Sequence, residues 1–120
     1  MKIKKIKTRS ELEQTLTGQE CALVLFYSDY CPFCVSFAPA FEKAAAGAGG
    51  SFIKACVDGD GALDELFSVD VVPTVLFFSG GRLARRLDGQ LGRGLSAEKL
   101  EAFASDCGLR PGGKPGQAAK

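Results

Sequence analysis

The chain contains no histidine, no tryptophan and only one methionine. Without histidine there is no Ser-His-Asp triad, no Cys-His dyad and no histidine-ligated metal or haem. Long apolar runs are also missing. The longest, at residues 21–27 and 71–78, fall well short of the roughly 20 residues that span a bilayer, so no membrane segment is expected. The basic start MKIKKIKTRSELEQ lacks the apolar stretch of about 7–15 residues that a secretory signal needs, and a cytoplasmic location is expected. A net charge of +1 gives no general case for nucleic-acid binding.

What is present fits one globular domain: 120 residues, 46% hydrophobic and 24% charged. The charge is unevenly placed. Residues 1–9 carry a net +5, residues 10–81 a net −8 and residues 82–120 a net +4. A solvated surface accounts for this pattern, and steering of a partner is the sharper alternative. Five cysteines are an odd number, so not all can pair within the chain. In a reducing compartment a close pair is catalytic or metal-binding rather than a staple.

Periodicity gives the order β-α-β-α-β-α-β-β-α. Residues 2–7 read as a lysine-guarded edge strand. Ser10 and Glu13 fit a capping box for a helix ending at Gly18. The continuous apolar run 21–28 reads as a strand buried on both faces. A helix follows to about Ala46, with Pro39 expected to kink it. Strands at 51–57 and 75–78 flank a short helix at about 62–67. Gly80-Gly81 turns the chain into a returning strand, 82–87. Ser96 caps a last helix whose apolar stripe is Leu100, Phe103, Ala104 and Cys107. The domain is expected to span residues 1–108, and the Gly/Pro-rich tail 109–120 reads as disordered. This is an α/β sheet with a parallel part and a terminal antiparallel hairpin.

The strongest chemical signal is Cys31-Pro32-Phe33-Cys34, placed between a buried strand and a helix. Cys31 falls near the N-cap, Pro32 at the first helical position and Cys34 in the first turn. Free amides of this turn, including those of Phe33 and Cys34, and the helix dipole favour a thiolate on Cys31. Cys31 is therefore the expected nucleophile and Cys34 the thiol that resolves a mixed disulfide. Three readings compete with exchange chemistry: a zinc site, a structural disulfide and a degenerate, inactive pair. A zinc site would need two more ligands, and the chain has neither histidine nor a second Cys-x-x-Cys. Cys21, Cys56 and Cys107 read as buried core thiols, with oxidation or dimerisation through Cys107 the main alternative. Pro73, at a strand entry, cannot donate to a ladder, and a cis bond there would expose the Val72 backbone.

The run FYSDYCPFC, Pro39, VDGD, VVPT, FFSGGR and Gly89, in this order and spacing, resembles the thioredoxin family over about residues 1–108. The resemblance implies a central mixed sheet of about five strands flanked by four helices. It implies a cis Val72-Pro73 bond packed against the cysteine pair, with Tyr30, Phe33, Val72 and Gly89 as the apolar rim on which substrates dock and Pro73 and Thr74 as further substrate-binding residues. It further implies a monomer acting on disulfide-containing proteins without a bound cofactor or metal. A thioredoxin reductase would recharge the pair, so NADPH enters only indirectly.

The chain departs from the family pattern in places. Pro-Phe replaces the usual Gly-Pro between the cysteines and resembles glutaredoxin, so Pro32 and Phe33 are expected to tune the potential. Leu25 stands where a buried Asp is usual, and its usual partner Lys54 is expected to lack a carboxylate. Tyr27 and Tyr30 replace the usual tryptophans. The reading is a protein-disulfide reductase. An oxidase or isomerase, a glutathione-coupled protein and a non-catalytic adapter remain in competition with it.

Overall fold

A computed structural model describes residues 4–17, 20–47, 51–58, 63–89 and 94–107. The expected helix stop at Gly18 and the tail 109–120 lie outside these residues. The elements are β1 (Lys4–Ile6), α1 (Arg9–Thr17), β2 (Cys21–Tyr27), α2 (Pro32–Gly47), β3 (Ser51–Cys56), α3 (Leu63–Leu66), β4 (Thr74–Ser79), β5 (Arg82–Leu87) and α4 (Ala97–Asp106). Three are full helices and α3 is a single turn. The strands form one mixed sheet in the order β1-β3-β2-β4-β5. β3 runs parallel to β1 and β2, whereas β4 runs antiparallel to β2 and β5.

Strand β2 is central, and its sequence CALVLFY explains why. Residues 22–26 are buried without interruption, so neither face alternates with polar side chains. Leu23 and Leu25 project into a core with Phe37 and Phe41 of α2 and Leu100, Phe103 and Ala104 of α4. Ala22, Val24 and Phe26 project the other way, into a core with Leu12 and Leu16 of α1 and Leu63 of α3. Phe67 braces this second layer edge-on to Phe26 and Phe78, at centroid distances of 5.6 and 5.5 Å. Tilted stacking of Phe41 on Phe52 at 5.3 Å braces the first. The edge strands carry the basic residues, Lys4 and Lys5 on β1 and Arg82, Arg85 and Arg86 on β5, which discourages further strand pairing.

Turns follow local chemistry. Gly80 (φ 61°) and Gly81 (φ 84°) both occupy the left-handed region that a two-residue hairpin turn requires. Ser96 caps α4 by accepting the Lys99 amide at 3.2 Å. Helix α2 continues across Pro39 as one element to Gly47. The cap of α1 differs from expectation. Thr8, not Ser10, accepts the Glu11 amide (3.2 Å), and Glu11 reaches back to the amides of Lys7 (2.8 Å) and Thr8 (3.2 Å). Both tetrapeptides fit the capping-box pattern. The earlier one forms because the link from β1 is so short that the helix starts at Arg9. Glu13 then pairs with Arg9 at 2.8 Å instead, an exposed pair of small energetic value.

Thr8→Ala is therefore expected to destabilise the protein by about 1 kcal/mol. Ser10→Ala should stay within about 0.5 kcal/mol. Urea unfolding of the two variants checks this, and the reverse ranking would restore the later cap.

Candidate active site

The buried β2 delivers its C-terminal end to one rim of the sheet, where Ser28–Cys31 connects it to α2. Cys31 is the N-cap of that helix: its carbonyl accepts the amides of Cys34 (3.0 Å) and Val35 (3.1 Å). Its own amide donates to the Ser28 carbonyl at 3.3 Å. Pro32 takes the first helical position, where its missing N–H leaves nothing unpaired. Contrary to expectation, the Cys34 amide does not aim at the Cys31 sulfur but closes the helix onto the Cys31 carbonyl. The Cys31 sulfur instead lies 3.6 Å from the Val72 carbonyl. A carbonyl there accepts the S–H of the dithiol form, and no disulfide joins the two cysteines in this structure.

The two thiols differ sharply in environment. Cys31 is half-buried, whereas Cys34 is 2% exposed. Burial pushes the Cys34 thiol from its ordinary 9.0 up to about 12. The Ser28 amide, which donates to the Cys34 sulfur at 3.4 Å, works in the opposite direction. Cys31 and the Asp58 carboxylate add to the upward shift.

The Val72-Pro73 bond is cis, and the Val72 carbonyl lies beside Cys31. Gly89 packs on this segment so closely that a Cβ would collide with the Pro73 carbonyl oxygen. Thr74 is 1% exposed, and its hydroxyl donates to the Val71 carbonyl and accepts the Gly89 amide. Its side chain therefore holds Gly89 in place and does not itself line the rim. Tyr30 (87% exposed), Phe33 (40%) and Val35 (64%), all within four residues of Cys31 in the chain, are exposed apolar side chains. Val35 was not singled out from the sequence, because nothing local distinguishes an outward residue of α2 from an inward one near the helix start. Gly94 (φ 70°) backs Phe33, where a Cβ would approach the Phe33 Cβ to 2.8 Å.

Leu25 is fully buried, between Lys54 of β3 and Val75 of β4 in the sheet register. Lys54, however, has a carboxylate. Its ammonium reaches Glu42 of α2 at 2.9 Å and lies 5.4 Å from the centroid of the Tyr27 ring. Helix α2 supplies the charge that the neighbouring strand lacks, and a long lysine stem spans the gap. The three further cysteines also differ from a uniformly buried set. Cys56 is buried, but Cys21 and Cys107 are half-buried at the margin of the first core. Cys56 lies 3.7 Å from the Asp58 carboxylate. The ligand atoms of Asp29, Cys56 and Asp58 lie within 4.8 Å of one another, a spacing that could hold a cation. Asp58 already accepts hydrogen bonds from Ser28, Asp29 and Cys56, so the trio is adequately explained as a clamp on the loop.

The Cys34 environment predicts a pH effect. An unfolded thiol ionises near 9.0, but Cys34 in the fold ionises only near about 12. Between these values the unfolded chain binds fewer protons, so stability is full below about pH 9 and is lost as pH rises. Cys107 and Tyr27, raised to about 11 and about 12 mainly by burial, act alike in both redox forms. The stability advantage of the oxidised over the reduced protein should therefore widen between about pH 9 and about pH 11 in urea unfolding. A constant gap would contradict the burial of Cys34.

Comparison with known proteins agrees with this geometry. The thioredoxin family model matches residues 3–106. Thioredoxin of Mycoplasmoides gallisepticum is 31% identical over 88 residues, covering 72% of this chain and 88% of that protein. Protein disulfide-isomerase 1 of Caenorhabditis elegans is 38% identical over 90 residues, covering 71% of this chain but 19% of that longer protein. In fold, Fasciola hepatica thioredoxin superposes with a TM-score of 0.77 at 23% identity, over 87% of this chain and 98% of that one. Thioredoxins act on disulfide substrates through a redox-active cysteine pair without a prosthetic group, and Cys31–Cys34 stands in that place. The chain belongs to the thioredoxin family of thiol-disulfide oxidoreductases.

Proposed function

We propose that the protein reduces disulfides in other proteins, as a monomer in a reducing, cytoplasmic setting. The observation that carries this reading is the asymmetry of the pair: Cys31 at a rim of exposed apolar side chains, Cys34 2% exposed behind it. An extended, disulfide-bearing segment can reach the first sulfur and not the second.

The Cys31 thiolate attacks one sulfur of the substrate disulfide. A Cys31–substrate S–S bond forms, the substrate S–S bond breaks, and the leaving thiolate takes up a proton. Cys34 then loses its proton and attacks the Cys31 sulfur. The Cys31–Cys34 disulfide forms and the second substrate thiol departs, so two electrons pass from protein to substrate. A flavin-dependent thioredoxin reductase using NADPH restores the dithiol. Tyr30, Phe33 and Val72 supply the docking surface, and the Val72 backbone offers pairing to an extended substrate.

A second reading, an isomerase or oxidase, draws on Pro32-Phe33 between the cysteines and on the similarity to a protein named as a disulfide isomerase. Equilibration with glutathione separates the two. A reductase is expected near about −270 mV, the region of thioredoxin, and an isomerase near about −180 mV.

The expected outcome in an insulin-type assay with dithiothreitol is marked acceleration by the intact chain and none by Cys31→Ser. Cys34→Ser should accumulate substrate as mixed disulfides. No acceleration with both cysteines intact would overturn the reductase reading.

A further inference from the structure

Two residues past the end of β3, Asp58 grips the loop that joins β2 to Cys31. One carboxylate oxygen accepts the Ser28 hydroxyl at 2.7 Å. The other accepts the Asp29 amide at 2.8 Å and lies 3.7 Å from the Cys56 thiol. The Ser28 hydroxyl in turn accepts the Tyr30 amide at 3.1 Å. Residues 28–30 are thus tied to a single carboxylate contributed by the turn that follows β3. Ser28 is also the residue whose backbone amide donates to the Cys34 sulfur at 3.4 Å.

Asp58 therefore acts on Cys34 in two opposed ways. Through Ser28 it holds a hydrogen-bond donor on the sulfur, which favours the thiolate. Through its own negative charge it disfavours the same thiolate. Leu25, fully buried beside Lys54, supplies no ionisable group here, and Lys54 is committed to Glu42. Among the described residues, the charged and titratable groups that act on Cys34 are Cys31, at the head of its own helix, and Asp58, in the turn after β3. Those acting on Asp58 are Cys56 and, from the end of β1, Lys7. Donation from Ser28 and Asp29 holds the Asp58 carboxyl below its ordinary range, so its charge is present at neutral pH.

We propose that Asp58 is the positioning residue of Cys34: it fixes the Ser28 amide on the resolving sulfur, while its charge opposes the resolving thiolate. This rests on the reading of Cys31–Cys34 as an exchange pair. In resolution the Cys34 proton leaves before the sulfur attacks Cys31. Asp58 sets how readily that proton leaves.

The test titrates Cys34 alone, in a Cys31→Ser background, by following its alkylation rate against pH. Adding Asp58→Asn keeps the side-chain shape and removes the charge. The midpoint should fall, seen as faster alkylation at a fixed pH below it. Ser28→Ala keeps the charge and breaks the hydroxyl tie, so the midpoint should rise. Asp58→Glu, which keeps the charge, should stay nearer the parent than Asp58→Asn.

A purely structural Asp58 would move Asp58→Asn and Ser28→Ala in the same direction, and that result overturns the proposal. An unmoved midpoint in Asp58→Asn also overturns it, and an unmoved midpoint in Ser28→Ala overturns the tether. A salt series needs no change at Asp58. Raising ionic strength from about 0.01 M to about 1 M should lower the midpoint when Asp58 is present and leave it unmoved in Asp58→Asn. If Asp58→Asn fails to fold, the salt series on the parent decides, and an unmoved midpoint there counts against the proposal. None of these measurements depends on catalysis, so a failed insulin assay and a failed Asp58 titration are read separately.

Discussion

The molecule depends on the burial of β2 from both sides. Five successive residues, Ala22 to Phe26, are fully buried between two helical layers. Removing such a strand from water contributes on the order of 25 cal/mol for each Å² of apolar surface. That contribution fixes the register of β3 and β4 on either side, since a slip by one residue would exchange the side chains of the two cores. It also fixes where the strand ends. The functional loop begins where the apolar run stops, at Ser28, and Cys31 caps the next helix three residues later.

Two unlike thiols follow from that placement. Cys31 stands at the helix start and meets the rim formed by Val72 and the exposed aromatic residues. Cys34, one turn further in, points back under the loop and is closed off from water. The same helix that orients the pair also carries Phe37 and Phe41 into the core and Glu42 to Lys54. The chemistry and the packing therefore share one rigid element, which holds a sulfur more accurately than a loop would.

What could be read from the sequence was what local pattern encodes. The two-sided apolar run, the glycine pair of the hairpin, the Ser96 cap and the strand–Cys-x-x-Cys–helix junction all depend on neighbouring residues, and each stands where the pattern put it. The features that escaped depend on contacts between distant segments. Glu42 and Lys54 meet across a helix–sheet interface, and Asp58 meets Ser28 from the turn after another strand. Thr74 is paired with Gly89 and Val71 inside the fold, so a residue expected to bind substrate is a buried tie. The cap of α1 was legible but ambiguous, because two overlapping tetrapeptides carry the same signal and only the short link from β1 selects between them. Cys21 and Cys107 fall on apolar positions whose elements end at the margin of the core, and periodicity does not report how far the neighbouring layer extends.

In the proposed mechanism, position in the fold, and not thiol content, selects one of five cysteines as the attacking group. Brief alkylation of the reduced, folded protein with iodoacetamide at neutral pH, followed by peptide mapping, reads that selection without any substrate. The first label is expected on Cys31, with Cys34 unlabelled over the same interval. First labelling of Cys34, or equal labelling of Cys31 and the half-buried Cys21 and Cys107, would show that the fold does not make the selection.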